Sequence, residues 1–186
     1  MSRAYYYLVS SLPYLQFDQK PSLSVEGFLA LCADHLAAEE IGALRAVLAG
    51  DETVSCCSAA ADWFRFDKSL RNALVVVRAS RLGRDSEDDI RPDGDYDAEA
   101  VEIAAQVVRE EDPLAAERLL VKRLWSVIDH IGTGHMFDAG ALIVYGLKLK
   151  LLERLEYFRS PSGAGIWEGI VTGEAMQMTL AGIGDQ

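Results

Sequence analysis

Apolar positions recur along this chain with the period of a helix, most densely in residues 138–159, DAGALIVYGLKLKLLERLEYFR. At 100° per residue, Gly140, Val144, Leu147, Leu151, Leu155 and Phe158 fall within an arc of about 80°. Leu142, Tyr145, Leu149 and Leu152 form a second stripe, about a third of a turn or more away. Lys150, Glu153 and Tyr157 occupy the strip left for water, and Lys148 and Arg159 lie in the seam between the stripes. A helix with two apolar sides needs neighbours on both, because an uncovered face would be an adhesive patch. The pattern therefore predicts a central helix inside a helical domain.

Other segments repeat the period with one face. Ser24 is placed to cap the helix that follows it, where Phe28, Leu31, Cys32 and Leu36 share a face. Residues 39–49 predict a short helix with Ile41, Leu44, Val47 and Leu48 inward, closed by Gly50. Ser58 is placed to cap a long helix of roughly 25 residues. Its run Leu74, Val75, Val76, Val77 would also suit a buried strand, but no partner strand is in view. Residues 5–11, with three tyrosines in a row, fit a strand or a first helix. Residues 98–110 predict an amphipathic helix. Asp112 and Pro113 then form a cap and first position for another, whose broad apolar face includes Leu114, Leu120, Val121, Leu124, Trp125, Val127, Ile128 and Ile131. Ile166, Trp167, Ile170 and Val171 predict a last helix. Between 84 and 97 the chain is polar and acidic, with Pro92 and Gly94, too poor in apolar groups to offset its ordering entropy. The fold class expected is all-α, a helical bundle or two-lobed array over 1–186, with lobes at 1–83 and 98–186 if the linker divides it.

Charge narrows the functions open to such a domain. The net charge is −11 and the pI about 4.7. A surface this acidic is unsuited to nucleic acid or to unaided adsorption on anionic lipid, and favours a basic protein partner or simply serves solubility. Cys32, Cys56 and Cys57 have no spacing suited to zinc, and are expected to be reduced thiols. No apolar run is long enough to span a bilayer, and the first eleven residues lack a signal-peptide pattern. A cytoplasmic location is expected.

Chemistry is thin on this reading. His130 and His135 flank two glycines, with Asp129 and Asp138 nearby. A metal-dependent or small-molecule enzyme would draw on Glu117, His130, His135 and Asp138, but solvated loop histidines are the commoner case. Glu117 falls inside an apolar face and needs a cation, so it is read as structural. Asp93-Gly94-Asp95-Tyr96-Asp97 alternates carboxylates without the distal glutamate of a calcium loop. No Ser/His/Asp or Cys/His set is legible, no cofactor is expected, and the chain is read as a non-enzyme. The sharpest charge feature is basic: Arg71, Arg78 and Arg81 fall within about 80° on the long helix, followed by Arg84. They form a candidate docking stripe for an acidic partner surface, against the alternatives of internal pairing or a solvated face.

The segment FDKSLRNALVVVRASRLG resembles one in the C/d-type subunit of V/A-type ATPases, with Asp67, Asn72, Leu74, Arg78 and Gly83 in matching order. DPLAAERLLVKRLW and the stretch from Phe137 through Tyr145 to Glu153 and Arg154 resemble that family's C-terminal helices. A nearer likeness, through YYYLVSSLPYL, LVKRLW and YGLKLKLLER, is to a bacterial family encoded beside V/A-type ATPase subunits. The C/d subunit is a non-catalytic helical funnel that couples the central shaft to the membrane ring. The resemblance implies a connector or assembly subunit accessory to proton or sodium transport. Its partners would be stalk or ring subunits, its place peripheral to the inner membrane through a complex, and Tyr145 structural. A generic helical adaptor is the remaining alternative.

Overall fold

The computed structural model describes residues 3–159, apart from 55, 87, 88, 92, 93 and 95. The helix expected around Ile166 to Val171 lies outside the described residues, as do Asp93 and Asp95 of the carboxylate run. Among the described residues the fold is all-helical, with seven helices and no strand. They are α1 (Arg3–Ser11), α2 (Val25–Ala33), α3 (Ala38–Ala49), α4 (Ser58–Arg81), α5 (Ala98–Arg109), α6 (Pro113–Ile131) and α7 (Ala139–Arg159).

Helix α7 is the centre of the array. It packs against α1, α2, α3, α4 and α6, and Leu142, Leu147, Leu149, Leu151, Leu152 and Leu155 on its two stripes are all buried. Ile143 and Gly146 are buried as well, so the covered surface is wider than the two stripes alone. Gly146 lies where α2 and α3 come closest. A Cβ there would stand 2.8 Å from Leu48 Cδ1 and 3.0 Å from Phe28 Cε1.

The strip expected to face water is partly employed. Glu153 accepts a hydrogen bond from Val25 N–H at 2.7 Å, so α7 supplies a second acceptor at the start of α2. Ser24 is the first, accepting from Gly27 N–H at 3.0 Å. Lys150 donates to the carbonyl of Leu48 in the last turn of α3. Burial draws its ammonium below the ordinary lysine value, against the opposing pull of Asp67 and Glu153.

One continuous hydrophobic core runs from Leu8 in α1 to Leu155 in α7 and takes residues from every helix. Helices on both sides of the acidic linker contribute, and α4 with α5 forms the most extensive pair. Small residues permit the approach: Ala73 on α4, and Ala100 and Ala104 on α5, are buried. Residues 5–11 resolve as helix. A lone strand would have left its backbone groups unpaired, whereas a helix satisfies its own. The valine run of α4 is helical for the same reason.

Three expectations change. Cys57, not Ser58, is the N-cap of α4; its side chain makes no capping bond, and Ser58 is the first helical residue. Leu114, placed by periodicity on the inner face of α6, is 48% exposed. The acidic linker is tethered. The side chain of Asn72 accepts from Arg91 N–H at 3.0 Å and donates to Arg91 O at 3.1 Å. Arg91 also pairs with Glu52 at 3.0 Å. Two backbone bonds from one amide offset ordering entropy that apolar burial could not.

Candidate functional site

Two places on the molecule gather polar side chains from different helices. The larger is an open groove of about 670 Å³ between α4, α5, α6 and the end of α7. Leu70, Leu74, Val107, Leu120 and Leu124 form its apolar floor, and Arg71, Arg78, Arg81 and Arg154 stand on its walls. Asp67, Glu110 and Glu117 also line it. Four arginines against three carboxylates leave this face about +1, in a chain whose net charge is −11.

The arginines differ in what they do. Arg71 is paired with Asp67 one turn back, at 2.7 Å. Arg81 donates to the carbonyl of Val108, near the end of α5, where carbonyls lack intrahelical partners. Arg84 lies outside the groove and pairs with Asp89 of the linker at 4.0 Å. Arg78 is exposed and makes no ion pair among the described residues. Among the described residues, the stripe expected from periodicity thus divides into one cation without an ion pair, two tethered ones and one that belongs to the linker. Arg154 was absent from that stripe because it comes from another helix. It meets Glu117 as an ion pair, with Nη2 donating to Oε2 at 3.0 Å. Glu117 Oε1 is buried and faces Arg154 Nε without hydrogen-bond geometry. The cation expected for Glu117 is therefore present, on the groove wall rather than in the core.

Tyr145 is a core element. Its ring packs on Phe28 with centroids 5.1 Å apart, and its hydroxyl donates to Pro13 O at 3.0 Å. Burial pushes the phenol up to about 12.

The second place lies at the other end of α7. Asp138 precedes the helix and accepts from Ala141 N–H at 2.9 Å. Its other oxygen is 2.7 Å from His135 Nδ1. Burial alone would raise the Asp138 carboxyl, but the His135 bond and the backbone N–H groups of Ala141 and Gly140 hold it below the ordinary value. On the far side of the ring, His135 Nε2 is 3.3 Å from Ser58 Oγ, at the start of α4. A Ser/His/Asp set therefore does exist, although none was legible in the sequence. Ser58 is 77 residues from His135, and no local motif marks it. The one available signal was Gly140: a Cβ there would fall 2.3 Å from His135 Nδ1, so a glycine inside a helix marks the seat of the ring.

The four residues of the enzyme alternative do not form one site. His130 is exposed at the end of α6. Glu117 is held by Arg154, which lies sixteen residues along from Asp138, a rise of about 24 Å on one helix. Among the described residues no cluster of three or more His, Cys, Asp or Glu is arranged to hold a metal ion. None of their helices is long and apolar enough to cross a membrane.

The fold and its groove define a class, an all-helical domain with a cation-walled, apolar-floored surface cleft. Compared with protein-family models, curated proteins and solved structures, the chain matches none of them.

Proposed function

We propose that this chain is a connector or assembly protein that docks an acidic, partly apolar segment of a protein partner in the groove between α4, α5, α6 and α7. The observation that carries the reading is Arg78, an exposed guanidinium without an ion pair among the described residues, above an apolar floor on a cationic face of a strongly acidic molecule. An amphipathic helix with carboxylates flanking its apolar face fits both features. Its leucines would cover Leu74 and Leu120, and its carboxylates would take bidentate bonds from Arg78 and its neighbours. Within the groove, Glu117 and Asp67 are already engaged by Arg154 and Arg71, which leaves them suited to holding arginines in place rather than to acid–base work.

The particular assembly we propose is a V/A-type ATPase, on the strength of the sequence resemblance alone. The test is a tagged pull-down from native cells with partners identified by mass spectrometry, repeated with Arg78→Glu. Recovery of stalk or ring subunits, reduced at least about tenfold by the substitution while the circular dichroism spectrum is unchanged, is the expected result. Equal recovery with both chains would remove the groove from the interface. Recovery without ATPase subunits would remove the ATPase from the proposal and leave the docking mode.

A further inference from the structure

We infer that Ser58 is an activated nucleophile, with His135 as its general base and Asp138 holding the imidazole, able to accept the acyl group of an activated ester. This stands independently of the docking groove, which lies toward the opposite end of α7.

Asp138 is fixed from behind by Ala141 N–H and presents Oδ2 to His135 Nδ1 at 2.7 Å. A carboxylate in that place keeps the proton on Nδ1, so Nε2 is left with its lone pair. Nε2 lies 3.3 Å from Ser58 Oγ, and in this tautomer it accepts from the hydroxyl. The separation is long for such a bond, as it often is before substrate tightens the set. The nucleophile is exposed and the base is not: the His135 side chain is 18% exposed, whereas Ser58 opens to solvent at the first position of α4. Gly140 is what admits the ring, since any side chain there would displace it. His135, but not Ser58, also lines an open cleft of about 290 Å³ with Val9, Leu12, Met136, Val144 and Lys148.

The chemistry balances with water as the only co-substrate. Ser58 Oγ bonds to the ester carbonyl carbon as its proton passes to His135 Nε2. The carbon–alkoxy bond then breaks, and the leaving oxygen takes that proton, giving acyl-Ser58 and a free alcohol. Water, giving a proton to the same Nε2, attacks the acyl carbon. The Ser58 oxygen recovers the proton and a carboxylic acid departs.

The experiment is labelling of the full-length chain with a fluorophosphonate probe, with the adduct located by mass spectrometry. A single phosphonyl group on Ser58 is expected, absent from Ser58→Ala. His135→Gln and Asp138→Asn should label at least about 100-fold more slowly, the scale on which a positioned base acts. Asparagine preserves an acceptor for the helix start, so the Asp138 variant reads the relay without removing the cap. Labelling of the native chain no faster than that of the urea-unfolded chain would overturn the inference, as would wild-type rates in the His135 and Asp138 variants. Either would reduce the three residues to a clasp between the starts of α4 and α7.

Discussion

Two glycines on α7 set how closely its neighbours approach. Gly146 brings Leu48 and Phe28 to the helix backbone, and both are almost wholly buried with nowhere to move. Gly146→Val should therefore destabilise the fold by roughly 2–3 kcal/mol, at the upper end of what overpacking costs. Urea denaturation would measure it, and a change under about 0.5 kcal/mol would mean that the contact relaxes freely. Asp138 makes a prediction in pH. Its folded carboxyl lies below the unfolded value, so its contribution is present above about pH 4 and disappears as pH falls through the folded value. Asp138→Asn should flatten the acid limb of stability below pH 4, its deficit against the wild type being full above about pH 4 and fading as pH falls. Side-chain exposure of 48% keeps the effect small, and a thermal-melt series from pH 2.5 to 6 with both chains would reveal it.

At the scale of elements, helix ends are tied to other helices and not only to their own caps. Glu153 serves α2, Lys150 serves α3, and Arg81 serves α5. Asp18 does the same for the connector between α1 and α2. It sits at φ 67°, in the left-handed region that aspartate tolerates, and pairs with Arg118 on α6 and Arg159 at the end of α7. The linker follows the same logic through Asn72. Gly94 is required beside it, since a Cβ would stand 2.2 Å from the Asn72 amide nitrogen. Asn72→Ala removes both bonds to Arg91 and should speed hydrogen exchange at the Arg91 amide markedly. Global stability should fall by no more than about 1 kcal/mol, because the clasp is solvent-exposed. Unchanged exchange at Arg91 would show that Glu52 alone holds the segment. None of these ties follows from periodicity, which reports which face of a helix is buried but not whose terminus comes to rest beside it.

For the whole molecule, charge and shape act together. A chain at −11 repels acidic partners overall, so a cation-walled groove favours the place at which such a partner can land. If docking there is electrostatic at its rim and apolar at its floor, the affinity for the recovered partner should fall several-fold between about 50 and 300 mM salt. It should not vanish, because the buried leucines are insensitive to screening. Calorimetry at both salt concentrations would show this, and an affinity indifferent to salt would count against the arginines.

Much of the architecture was legible in the order of residues. A heavily apolar two-striped segment can be stable only when surrounded, so α7 had to be central, and Ser24, Gly50 and the Asp112–Pro113 pair mark helix ends by local chemistry that needs no distant partner. The arginine stripe was visible for the same reason, being one face of one helix. What lay hidden was everything assembled across helices: Arg154 meeting Glu117, Glu153 reaching α2, and Ser58 arriving beside His135. Such meetings depend on how helices cross and how far each is rotated, which the packing of the entire core decides and no single segment encodes.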